Sequence, residues 1–183
     1  MSQHHQPNRR SIRLRGYDYA QAGMYFVTIC AWQRACRFGA IVDGAMRLHE
    51  DGRIVGEEWE RTAAVRPSVS LDAWVVMPNH FHGILIIGGR GTPAACPYEP
   101  AISRRFGQPV SGSLSTIIGQ FKSMVTKRIN ARRGTPGAPV WQRNYYEHII
   151  RNEADLARIR EYIVHNPLRW ELDQLHPDNP SQW

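Results

Sequence analysis

His80-Phe81-His82 is the arrangement in this chain with the plainest chemical potential. In a strand, residues i and i+2 point to the same face. The two imidazoles would then stand side by side and share one divalent metal, with Phe81 turned to the opposite, apolar side. Alone the pair is a weak signal, because one exposed histidine beside one hydrogen-bonded histidine gives the same sequence. Tyr162 and Asn166 form a second arrangement. Four residues apart, they share a helical face. That face lies roughly a quarter turn from the stripe of Leu156, Ile159 and Ile163, at about 100° per residue. If it meets the histidine surface, a phenol and a carboxamide oxygen join two imidazoles around one ion. An amide oxygen is a hard donor of the kind Mg²⁺ and Mn²⁺ accept. From composition alone, an ordinary half-buried tyrosine and a polar residue at a helix end before Pro167 explain these two positions as well.

The elements that must position these groups follow from pattern. Met24 to Trp32 is rich in β-branched and aromatic residues and reads as a buried strand. A loop with a short turn around Asp43-Gly44 follows. Ile54 to Ala64 carries Ile54, Val55, Glu58, Trp59 and Thr62 at helical spacing, and Pro67 ends the helix. Val69 to Met77 and Phe81 to Ile87 read as two strands joined by the Pro78-Asn79 turn, with the histidines at the start of the second. Leu114, Ile117, Ile118, Phe121, Val125 and Ile129 form the apolar stripe of a helix that Ser113 caps. Val140 to Tyr146 reads as a fourth strand. Asn152 opens a last helix, with Glu153 and Asp155 in its first turn and Pro167 as its stop. The order strand, helix, strand, strand, helix, strand, helix predicts an α+β fold. It is a ferredoxin-like sandwich, an antiparallel sheet with helices on one face, plus a C-terminal catalytic helix.

Residues 17–172 are expected to form the domain, preceded by a flexible basic arm (1–16) and followed by a tail (173–183). An irregular Gly/Pro-rich insertion occupies 88–112. The insertion holds Gly88-Gly89-Arg90-Gly91-Thr92 but lacks the lysine and spacing of a phosphate-binding loop.

The segments VVMPNHFHGILII, WQRNYYEHIIRN and EYIVHNPLRW resemble the single-tyrosine HUH transposases of bacterial insertion sequences, and most of all the REP-associated tyrosine transposases. REP denotes a repetitive extragenic palindrome. The resemblance spans roughly residues 17 to 172. It implies that His80 and His82 ligate a metal, that Tyr162 is the nucleophile, and that Asn166 completes the metal shell where insertion-sequence members often have Gln. It implies cleavage of single-stranded DNA beside palindromic hairpins through a 5′-phosphotyrosine, and rejoining by strand transfer. Mg²⁺ or Mn²⁺ is the expected cofactor. Tyr145 and Tyr146 are rival nucleophiles that lack the i, i+4 partner. The alternative is a protein that keeps the fold and binds hairpins without cutting; a zinc hydrolase built on the histidines has no H-E-x-x-H or cysteine spacing behind it.

Lys and Arg number 23 against 16 Asp and Glu, a net charge of +7. That balance suits phosphate backbones and counts against an acidic partner. The expected DNA contacts are Arg9, Arg10, Arg13 and Arg15 of the arm and Lys122, Lys127, Arg128, Arg132 and Arg133 of the second helix. Trp141, Tyr145 and Tyr146 are candidates for stacking on bases or for plain core. Arg169 is a candidate phosphate contact or a surface arginine. Cys30, Cys36 and Cys96 form no disulfide framework or zinc pattern. Met1 to Arg15 has no apolar run and no segment reads as a membrane span. The expectation is a cytoplasmic protein, monomer or homodimer, with hairpin-bearing single-stranded DNA as partner.

Overall fold

The computed structural model describes residues 19–88 and 112–179. The arm with Arg9, Arg10, Arg13 and Arg15, Cys96, and nearly all of the 88–112 insertion lie outside the described residues. Four strands form one antiparallel sheet in the order β4-β5-β1-β6: β1 (Gly23–Cys30), β4 (Val69–Val76), β5 (His80–Ile87) and β6 (Tyr146–Ile150). This is the α+β ferredoxin-like order the sequence predicts.

Side-chain alternation along the strands builds a core on each face of the sheet. Tyr25, Val27 and Ile29 of β1 and Phe81, Leu85 and Ile87 of β5 enter the larger core, under α1 (Glu50–Ala64) and α2 (Leu114–Arg133). The sequence-predicted stripe of α2 is buried there, from Leu114 to Ile129. Phe26 and Ile84 point the other way and meet Ile150 of β6 together with Leu156, Ile159 and Ile163, the apolar side of α3 (Glu153–His165). Ser113 and Asn152 cap α2 and α3, accepting from the backbone N–H of Thr116 and Asp155. Gly134, at φ 65°, closes α2 in the left-handed conformation.

Two elements differ from the sequence reading. The loop around Asp43-Gly44 is a hairpin, β2 (Gly39–Val42) with β3 (Ala45–Leu48). Its Asp-Gly turn has φ of 51° and 71°, the pair a tight two-residue hairpin turn requires. The fourth strand is Tyr146–Ile150, not Val140 to Tyr146. Val140 and Trp141 are buried, but Trp141 makes only an isolated bridge to Ala31, while the 146–150 backbone pairs with β1. Burial thus mimicked strand character one segment too early.

Helix α3 is tied to both edges of the sheet. A bulge in β4 sets Asp72 and Ala73 against Ile84 alone, between the pairs Leu71–Leu85 and Trp74–Gly83. Asp72 there takes a bidentate pair from Arg160 of α3, at 2.8 and 2.6 Å. On the opposite edge, His148 Nε2 of β6 meets Asp155 Oδ2 at 2.7 Å.

Gly83 explains why the histidine strand continues with glycine. A Cβ there would lie 2.7 Å from Trp59 and 2.8 Å from Phe81, two fully buried rings whose centroids are 4.7 Å apart, tilted at 58° to one another. Gly83→Ala should destabilise the fold by about 1–3 kcal/mol, the usual cost of overpacking. Urea unfolding measures this, and an unchanged midpoint would mean the rings yield freely.

Candidate active site

His80 and His82 stand on the α3 face of β5, fully or almost fully buried, with ring centroids 4.5 Å apart. Desolvation dominates both. It pushes His80 down to about 3, and it holds His82 well below the ordinary imidazole value with further help from its neighbour. Both rings are therefore neutral at physiological pH, the state in which imidazole ligates a metal.

The tautomer of His80 follows from its neighbours. Asn79 donates its amide N–H groups to the carbonyls of Arg34 (3.2 Å) and Leu175 (2.7 Å). Its Oδ1 is thereby turned to His80 Nδ1 at 2.8 Å, so Nδ1–H donates. The lone pair then resides on Nε2, which is buried without a hydrogen-bond partner. A carbonyl holding the outer ring nitrogen is the common support of a ligating histidine. On His82, Nδ1 faces Thr28 Oγ1 at 2.8 Å and Nε2 faces the Tyr162 hydroxyl at 3.2 Å.

Helix α3 brings Tyr162 and Asn166 to the same place. Tyr162 is 41% exposed at its outer side, while its ring lies 5.2 Å from that of His82. Burial, then the nearby Asp173 carboxylate, pushes its phenol up to about 12. Asn166, 3% exposed, donates Nδ2 to Asp173 Oδ2 at 3.2 Å, and its Oδ1 is buried without a partner. Asp173 Oδ2 lies 3.9 Å from His80 Nε2. Donor atoms of His80, His82 and Asp173 fall within 4.8 Å of one another. Two neutral nitrogens, a carboxylate and an orphaned amide oxygen make a set fit for a divalent cation. An unfilled buried polar atom is costly, and this site holds two of them.

Three supporting residues were not singled out in the sequence. In the sequence Asn79 reads as a turn residue, although its place beside His80 is an available signal. Thr28 is register partner to His82 across β1 and β5, which no local spacing reveals. Asp173 follows the 3-10 turn Pro167–Leu172, in the segment read as a tail, where helical spacing from Asn166 no longer applies.

The remaining candidates separate by contact. Tyr146 is 39% exposed on the α3 side beside Phe26, and Tyr145 packs against the larger core. Among the described residues only Tyr162 places a phenol hydroxyl on the histidines. Trp141 is buried against Phe38 and Phe121, so it offers no face for a base. Arg169 is exposed in the 3-10 turn Pro167–Leu172 that follows α3. His165 Nδ1 turns back to the Glu161 carbonyl. Of the α2 cations, Arg128 pairs with Glu57 and Glu58, and Arg132 and Arg133 both pair with Asp51. Lys122 donates to the carbonyls of Gln142 and Arg143, and burial pushes its amine down to about 8. Lys127 is exposed.

No family model matches the chain. An uncharacterized protein of Haemophilus influenzae is 42% identical over 172 residues, 93% of this chain and 94% of that protein. A second protein of that organism, provisionally named a REP-associated tyrosine transposase, is 33% identical over 58 residues, 24% of this chain and 33% of its own length. The solved structure of a REP-associated tyrosine transposase bound to a REP hairpin superposes with a TM-score of 0.55 at 18% identity, covering 91% of this chain and 77% of that one.

The buried histidines make stability depend on acid. Between the ordinary imidazole pKa and their folded values, the unfolded chain binds protons that the folded chain refuses. Stability is therefore complete above pH of about 6.5 and is lost as pH falls, by about 1.4 kcal/mol per pH unit for His80 down to its folded value of about 3, with His82 adding a loss of the same sign. Urea midpoints measured with chelator should drop between pH 7 and pH 5, and His80→Gln should flatten that drop. A midpoint independent of pH would show that the rings are solvated.

Proposed function

We infer the function from two premises: the chain belongs to one family with the Haemophilus influenzae protein it matches over nearly its whole length, and it has the fold of a REP-associated tyrosine transposase. On this reading it is a cytoplasmic, metal-dependent endonuclease and strand transferase. It acts on single-stranded DNA next to palindromic hairpins. The observation that carries the reading is the 3.2 Å contact between the Tyr162 hydroxyl and His82 Nε2, beside the unpartnered Nε2 of His80 and Oδ1 of Asn166.

Tyr162 attacks the scissile phosphorus in line. The phenolic oxygen forms the new O–P bond and loses its proton. The P–O3′ bond breaks, and the departing 3′ oxygen takes up a proton. The product is a 5′-phosphotyrosine and a free 3′-OH. A 3′-OH reverses the step by displacing the phenol, so DNA is rejoined without a nucleotide cofactor. His80, His82, Asn166 and Asp173 would hold Mg²⁺ or Mn²⁺. When bound, the cation neutralises and orients a nonbridging phosphate oxygen and favours the ionised phenol. The phenol needs that help, because burial otherwise keeps it protonated up to about pH 12. The two tethers of α3, Arg160 to Asp72 and His148 to Asp155, hold the nucleophile's helix against the histidine face.

Tyr162→Phe should abolish the covalent protein–DNA adduct formed on labelled hairpin DNA with Mn²⁺, while hairpin affinity stays within about threefold. Adduct surviving in Tyr162→Phe would transfer the nucleophile elsewhere. Hairpin binding by the wild-type protein with no adduct under any metal would mark a binding module without cleavage.

Asp173 allows a separate test of the metal set. Asp173→Asn should weaken Mn²⁺ binding, read by calorimetry without DNA, by about 10–100-fold, because it removes the one carboxylate among the donors. Unchanged affinity would exclude Asp173 from the shell.

A further inference from the structure

A groove of about 850 Å³ runs between the outer side of α2 and the segment from Gly134 to Arg143. None of the residues lining it is acidic, and three are cationic: Lys122, Lys127 and Arg143. The cations of α2 are thus divided by side. Arg128, Arg132 and Arg133 are neutralised by carboxylates of α1. Lys127 and Arg143 are exposed, and neither forms an ion pair with a described carboxylate. Ser123, Thr126 and Asn130 add short polar side chains to the same wall. Lys122 secures the groove's floor by bonding the carbonyls of Gln142 and Arg143.

The groove also reaches the right end of the sheet. Gln142 N donates to Cys30 O, and Cys30 is the register partner of His80. The rim at Gln142 therefore lies two strand spacings from the His80 backbone, about 10 Å. The groove's rim and the His80 backbone thus share one end of the sheet. Trp141 is buried in the wall, so recognition there falls on the backbone rather than on stacked bases.

We propose that this groove binds the phosphate backbone of the unpaired DNA that flanks the hairpin, through Lys127 and Arg143. The ligand is single-stranded DNA and the contacts are sequence-independent. The assignment rests on the DNA-processing reading above. Binding is measured apart from cleavage, so that the two can fail separately.

The test compares Lys127→Ala/Arg143→Ala with a control that removes two exposed cations elsewhere, Arg61→Ala/Arg151→Ala. Fluorescence anisotropy reads the affinity of each for oligothymidine and for a fully paired hairpin without flanks. The groove variant should bind oligothymidine roughly tenfold more weakly than the control does. Its slope of log affinity against log salt should be shallower by about 1.4, as two lost phosphate contacts on a single strand require. Affinity for the flankless hairpin should match the control, and circular dichroism should show an intact fold. Equal oligothymidine binding by the two variants would overturn the proposal, and so would an equal loss on the flankless hairpin, which would make the groove a duplex site. Should the wild type bind oligothymidine through these residues yet form no Tyr162 adduct, the cleavage reading fails and the groove stands.

Discussion

The two-residue period of one strand governs the architecture of this protein. In β5, His80, His82 and Ile84 face α3, while Phe81, Gly83 and Leu85 face α1 and α2. A slip of one residue in the pairing with β1 would send both imidazoles into the aromatic core and expel Phe81. Trp59 guards against that slip by packing where Gly83 has no side chain. The larger core therefore stabilises the register that sets both histidines on the opposite side, facing α3.

Burial of the histidines has an electrostatic consequence. Imidazoles taken out of water lose their protons, which leaves them in the form that can ligate a metal, at a cost in stability under acid. Asn79 and Thr28 set the ring orientations, and the segment after α3 closes the surroundings: Leu175 holds Asn79, and Asp173 brings a carboxylate beside Asn166 and His80. The Tyr162 phenol feels the same desolvation with the opposite result, since burial keeps it protonated. The imidazoles and the phenol share one environment, and a cation entering it would act on both.

Charge is organised by layer as well. The acidic residues of α1 consume the cations on one side of α2, joining the two helices over the larger core. Lys127, on the other side of α2, and Arg143 border the groove whose rim approaches the histidine end of the sheet. The net charge of +7 is thus unevenly used: part of it is paired across the α1–α2 contact, and Lys127 and Arg143 remain free of described carboxylates at the groove, where a phosphate backbone is the proposed ligand.

The sequence by itself determined the elements whose signals are local. The apolar stripes of α2 and α3, the caps Ser113 and Asn152, and the alternation across His80-Phe81-His82 depend on neighbours within one or two turns. They were legible, and with them the ferredoxin-like order and the resemblance carried by the two motifs. The Asp43-Gly44 hairpin was legible as a turn but not as two strands, because its strands are only four residues each and have little apolar contrast. Val140 and Trp141 looked like a strand because burial, not backbone pairing, sets their composition. Tertiary structure alone decided that α3 lays Tyr162 on His82, that Thr28 and Asp173 join the site, and that Arg128, Arg132 and Arg133 are paired while Lys127 is not. Each of those contacts joins residues that only the strand register and the helix packing bring together, and no spacing along the chain encodes them.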